Sequence, residues 1–224
     1  MAKDFNDPRV VESYDQHIRK LIPGYELIHL QAHAILKNMV AEQAEIVVVG
    51  CGTGYELAYL AAQFPQWHFC AIDPAPNMLQ QAKAYLEGLQ LADRIQFVLG
   101  DSTVLRDMPE RFDAALAILV AHFVPQQHKL DFFKDIANSL KPTGICLSYD
   151  LMQFQYPEQA TVLKTMAQLT GLAEAQAIKM IARLDSDFHL VTLDELLALY
   201  QQAGFKNVQQ YSQVLNYMGL FARK

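Results

Sequence analysis

The chain has 224 residues, enough for one domain with a full core. With 52% hydrophobic and 19% charged residues it is no disordered chain, and a net charge of −6 argues against an extended nucleic-acid groove. No apolar run reaches the ~18 residues of a membrane span, and the start, MAKDFNDPRV, lacks the apolar stretch of a signal peptide. Cys51, Cys70 and Cys146 lie far apart and read as reduced, structural cysteines, so a cytoplasmic protein without a metal site is expected.

Asp4 to Lys20 reads as a short helix, interrupted at Pro23-Gly24. Tyr25 to Val40 reads as a second, with Leu27, Ile28, Leu30, Ala34, Ile35 and Met39 on an apolar face. Both precede the first strand, so residues 1–43 are expected to fold over its ligand as a lid. Glu45 to Val49 is an apolar, β-branched run, the pattern of a strand buried on both faces. Gly50-Cys51-Gly52-Thr53-Gly54 breaks it, and Glu56 to Gln63 continues as a helix. Strand, glycine turn and helix open a nucleotide-binding α/β unit, in which a ligand lies on bare backbone beside free helix N–H groups.

Trp67 to Ile72 is the second strand, ending in Asp73-Pro74-Ala75-Pro76, and a helix follows to about Glu87. Ile95 to Leu99 and Phe112 to Val120 are the third and fourth strands, with His122 just beyond the fourth. Gln126 to Leu140 reads as a helix, residues 141–144 as a turn, and Ile145 to Leu151 as the fifth strand. This alternation predicts a mostly parallel, seven-stranded α/β sandwich with residues 44–151 as its core. Pro157 to Leu184 lacks a strand and reads as two helices joined near Gly171, an insertion over residues 152–190. If unpaired it would expose Leu163, Met166, Leu169 and Leu172, which would allow a homodimer. Thr192 caps a helix to Ala203, and Val208 to Tyr211 with Leu215 to Ala222 close the sheet as an antiparallel pair. All these segments are assigned to a single domain.

Ligands of open α/β sheets bind beyond the carboxyl ends of the strands, at the switch point of strand order. Gly50 to Gly54, Asp73, Asp101-Ser102 and Ile118 to His122 stand at those ends. Asp73 follows the first glycine at about the ~20-residue spacing of a ribose-binding acid. The third glycine comes one place too early for a dinucleotide fingerprint, with Tyr55 at the expected site, which disfavours a nicotinamide cofactor.

Taken in order, VVVGCGTGYE, AIDPAPNML, VLGDSTVL, FDAALAILVAHFV and LKPTG resemble the successive motifs of class I S-adenosylmethionine-dependent methyltransferases. That resemblance implies S-adenosyl-L-methionine as cofactor, a Rossmann-like fold, and a small-molecule acceptor. It implies that Gly50, Cys51 and Gly52 line the methionine part, that Asp73 holds the ribose, and that Pro74 and Met78 lie beside the adenine. Asp101 and Ser102 would flank the adenine, and Ile118 would form a wall under the cofactor. The flanking segments, YDQHIRKLIPGYE and AGFKNVQQYSQVLNYMGLFARK, are similar to small bacterial methyltransferases and to carboxy-S-adenosylmethionine synthases. By that similarity Tyr14, Arg19 and Tyr25 are candidates for the methionine end. Val48 stands where the family carries an acid before the glycine turn. Leu199 and Ile118 stand where those synthases carry an arginine and an asparagine. A synthase-like activity is therefore the second reading, and a catalytically silent cofactor-binding module the third. His122 is the expected general base, with His122, Phe123, Phe154 and Tyr156 as acceptor walls. Each position also has a plainer reading: Asp73 as a helix cap, Arg19 in a surface ion pair, His122 as a buried structural histidine.

Overall fold

The computed structural model describes Phe5 and residues 7–224. The start of the expected first helix, at Asp4, lies outside them. Two helices stand where one was expected, α1 (Pro8–Glu12) and α2 (Tyr14–Leu21). Asp7 caps the first through the Arg9 N–H, and the Ser13 hydroxyl donates back to the Arg9 carbonyl at 2.9 Å. A serine that competes for helix carbonyls favours such a break. Gly24, in the left-handed region, starts α3 (Tyr25–Met39).

The core follows as β1 (Ala44–Val49), α4 (Tyr55–Gln63), β2 (Trp67–Asp73), α5 (Pro76–Gly88), β3 (Ile95–Leu99), β4 (Phe112–Ile118), α6 (Lys129–Ser139) and β5 (Leu140–Leu151). The insertion is α7 (Glu158–Leu169), α8 (Glu174–Ala182) and a short α9 (Leu184–Asp187). The chain ends with α10 (Leu193–Gln202), β6 (Lys206–Val214) and β7 (Tyr217–Arg223). Thr192 and Glu195 close a reciprocal capping box at the start of α10.

The seven strands run in the order β3-β2-β1-β4-β5-β7-β6. The first five are parallel, and β7 pairs antiparallel with both β5 and β6. Strand residues alternate between two buried layers. Val47, Val49 and Ile72 pack against Phe133 and Ile136 of α6. Ile46, Val48 and Ala71 join Leu36 of α3 and Leu57 of α4. Strand order reverses between β1 and β4, so the loops leaving them face a common crevice.

Two expectations need correction. Residues 141–144 are part of β5, not a turn: Leu140 pairs with Phe112 and Ile145 with Ala114, so the segment bulges from the ladder. Pro142 has no N–H to give, and Lys141 is pinned to Asp113 at 2.8 Å. The insertion does not present the expected apolar face either. Leu163 and Leu172 are buried, because α7 and α8 pack on each other and on Ile18, Leu21 and Ile22 of the lid; only Leu169 of the four is fully exposed, at 83%. No helix among the described residues is long and apolar enough to cross a membrane.

Candidate active site

The glycine turn is strapped to the end of β2: the Gly50 and Cys51 N–H groups donate to the Ile72 carbonyl at 2.7 and 3.0 Å. Gly50 has φ +74°, and a Cβ there would lie 2.5 Å from Val120 Cγ2. Gly54 has φ +87° and leads straight into α4. Both positions need the missing side chain, one for the backbone conformation and the close approach of Val120, the other for the turn into the helix.

Two cavities meet at Gly50. The larger, about 490 Å³, is lined by Gly50, Pro74, Gly100, Asp101, Ser102 and Val120 among others. The smaller, about 40 Å³, is lined by Tyr14, Tyr25, Gly50, Cys51, Gly52 and Ile118, and also by His29, Thr53, Glu56 and Leu119. Tyr14 lies over Gly52, with its ring 4.0 Å from where a Cβ would stand, and Thr53 Oγ1 donates to Asp15 Oδ1 at 2.6 Å. These contacts bring α2 down onto the glycine turn. Burial pushes the Tyr14 and Tyr25 hydroxyls up, so both stay neutral.

Three sequence candidates line neither cavity. Asp73 is buried, and its carboxylate accepts from the Gly52 N–H at 2.8 Å and the Ala75 N–H at 2.9 Å. It braces the turn, with one further lone pair free on each oxygen. Burial raises its pKa against the lowering effect of these two bonds. Met78 packs behind the site with Val11 and Ala75. Arg19 points away: its guanidinium pairs with Glu26 at 2.7 Å and lies 4.4 Å from the Tyr55 ring centre. Glu26 also accepts from the Tyr55 hydroxyl, so the arginine is held by a nearby acid that sequence spacing did not connect to it.

Beyond β4 lies a third space. Leu119 adopts φ +61°, unusual for a branched residue, and turns the chain so that His122 is buried. His122 Nδ1 bonds Asp150 Oδ1, from the end of the adjacent strand β5, and the same oxygen accepts the Leu151 N–H at 2.9 Å. Asp150 is 2% exposed, and its other oxygen has no partner among the described residues. Lys129 is buried beside the pair and donates to the Ala121 carbonyl; burial lowers its pKa while Asp150 opposes the shift. Two adjoining cavities, about 100 and 280 Å³, share Phe5, Leu21, Phe123, Met180 and Phe188 as walls, and His122 lines the first. Phe154 packs in the lid cluster and Tyr156 is half exposed; neither lines these two cavities, whereas Phe188 and Met180 do.

The sequence reading missed Asp150, Glu56, His29 and Lys129. Asp150 left a signal, an acid near the carboxyl end of an otherwise apolar strand. The others are ordinary helix residues until the fold brings them inward.

Residues 46–144 match the family described as methyltransferase domain. Over that stretch the chain is similar to class I S-adenosylmethionine-dependent methyltransferases. Similar proteins include the carboxy-S-adenosyl-L-methionine synthase of Wolinella succinogenes, 25% identical over 100% of this chain and 95% of that one. The synthase of Psychromonas ingrahamii is 20% identical over 97% and 92% of the two chains. Among solved structures, an O-methyltransferase family protein from Burkholderia thailandensis superposes with a TM-score of 0.70 at 14% identity, over 97% of this chain. The chain spans about three fifths of the length of that structure. The seven-stranded Rossmann-like methyltransferase fold is thus observed.

S-adenosylmethionine is the methyltransferase cofactor, and the paired cavities fit it. Bare glycine backbone stands between a larger space edged by the polar Asp101 and Ser102 and a smaller one edged by aromatic and acidic groups. That division suits a nucleoside on one side and an amino acid on the other.

Proposed function

We propose that this methyltransferase acts on a small-molecule acceptor enclosed between the lid and the insertion, with His122 as general base. The observation that supports the reading is the buried His122–Asp150 pair at the wall of an otherwise apolar cavity next to the glycine turn. Tyr14 and Leu119 line both this cavity and the smaller space at the turn, so the two adjoin.

When bound, the cofactor supplies an electrophilic methyl group and leaves as a neutral thioether. Gly50, Cys51 and Gly52 would hold its methionine part, and Pro74, Asp101 and Ser102 its adenosine part. Asp73 would act on the ribose through its spare lone pairs while keeping Gly52 in place. With Nδ1 committed to Asp150, the imidazole has Nε2 to take the acceptor's proton as the new bond to carbon forms. Asp150 orients the ring and balances the charge that appears on it. Phe5, Phe123 and Phe188 exclude water from the pair.

Full-length relatives that are carboxy-S-adenosylmethionine synthases support a second reading, in which an anionic metabolite is the other substrate. Leu199 packs against the core, and Ile118 lines the smaller cavity as an apolar wall. Neither supplies the polar partner an added carboxylate would need, which ranks this reading second.

The test is production of S-adenosylhomocysteine from S-adenosylmethionine across a panel of hydroxylated, carboxylated and amine-bearing small aromatics, read by mass spectrometry. Turnover with one class, lost in His122→Ala while S-adenosylhomocysteine still binds, supports the proposal. Failure with every class, together with a carboxylated cofactor carried through purification, would replace it with the second reading.

A further inference from the structure

Glu56 is a first-turn residue of α4, yet it is 9% exposed and turned into the smaller cavity. Its carboxylate accepts no hydrogen bond among the described residues. Its nearest titratable neighbour is His29, with Nε2 4.0 Å from the carboxyl group, and His29 is itself held through Nδ1, which donates to the Tyr25 carbonyl at 2.9 Å. Burial penalises the charged form of such a group unless a donor or a cation meets it. Glu56 is also the one carboxylate that lines this cavity. The strand position two residues before Gly50 is the buried, uncharged Val48.

We propose that Glu56 is the anchor for the α-ammonium group of the cofactor's methionine part. This rests on the methyltransferase reading. The cavity is lined by Tyr14 and Tyr25, by one carboxyl group that accepts no hydrogen bond among the described residues, and by the glycine turn. An incoming ammonium group supplies the donors the carboxylate lacks.

The groups facing Glu56 allow a proton count. Burial raises Glu56 to about 8, so it holds a proton at neutral pH in the free protein. Tyr14, Tyr25 and Tyr211 are pushed up and remain neutral, as does the Cys51 thiol. His29 is pushed down by burial, despite the Tyr25 carbonyl, and is neutral near pH 7. Binding a cation at Glu56 therefore expels a proton from Glu56 itself.

Calorimetry with two probes tests this, S-adenosylhomocysteine and 5′-methylthioadenosine, which lacks the amino-acid end. Glu56→Gln is expected to weaken the first about ten- to hundredfold, the span of a charged hydrogen bond, and to leave the second within about twofold. Wild-type protein is expected to release a proton with the first probe at pH 7, seen as an enthalpy that depends on buffer ionisation, and none with the second. The proton measurement needs no variant. Equal losses for both probes, unchanged or tighter S-adenosylhomocysteine binding in Glu56→Gln, or no proton release would overturn the assignment. Wild-type protein that binds neither probe would instead remove the methyltransferase reading beneath it.

Discussion

Gly50 lines both cavities of the candidate site, and replacing it with alanine tests the geometry where they meet. Its φ of +74° is left-handed, which costs an L-residue about 1–2 kcal/mol. The new Cβ would also stand 2.5 Å from Val120 Cγ2 and 3.2 Å from Cγ1. Overpacking of this kind costs about 1–3 kcal/mol. The sum, about 2–5 kcal/mol, corresponds to a fall in Tm of about 4–20 °C for a chain of this size. Differential scanning calorimetry and urea titration measure both quantities. Gly88→Ala is the control: it has ordinary φ and no atom within 4 Å of the added carbon, so its effect stays within about 1 kcal/mol. In a Val120→Ala background the steric share disappears, and Gly50→Ala costs only its backbone strain, about 1–2 kcal/mol. A Gly50→Ala protein that melts within a degree of wild type would refute the reasoning. So would a cost that ignores the residue at 120.

Further outcomes follow from the same contacts. His122→Ala lowers turnover about 10²–10⁴-fold without weakening S-adenosylhomocysteine, and Asp150→Asn gives a smaller loss in the same parameter. A matched loss of cofactor affinity would make the pair structural. Asp73→Asn turns one of its two backbone acceptors into a donor facing an N–H, destabilising the fold by about 1–3 kcal/mol and weakening the cofactor. Calorimetric stability equal to wild type would show that Asp73 does not brace Gly52. Glu56 is an acid that burial pushes up to about 8 in the folded state, from an ordinary value of 4.5. The folded state therefore binds the extra proton between these values, and ligand-free stability falls as pH rises from about 4.5 towards 8. Glu56→Gln removes that slope, and identical Tm-against-pH curves for the two proteins would contradict the burial of Glu56.

Local order was readable from residues alone. A β-branched run, a glycine cluster and an amphipathic stretch each bias the backbone within a few residues, so β1, the turn and α4 stand where their pattern puts them. Thr192 with Glu195 marks a helix start by the same short-range chemistry. Where a local signal was weak, as at Ser13 or in the bulge after Leu140, the element bounds moved. Gathering Gly50, Asp101, Ser102 and Ile118 around joined cavities follows from parallel strand order, which alternation alone dictates.

Partnership was not readable. His122 and Asp150 are 28 residues apart and meet because β4 and β5 are neighbours in register. Glu56 and His29 meet because α3 and α4 share one face of the sheet. Arg19 is held by Glu26 and Tyr55, and Leu163 packs against the lid. Periodicity tells a residue which side of its own element it occupies, whereas burial, pairing and proton affinity depend on which other element arrives at that side. The primary structure thus determined the α/β order and the glycine turn after β1. Tertiary packing alone decided which acids and imidazoles are buried together, because those contacts join positions with no local energetic link.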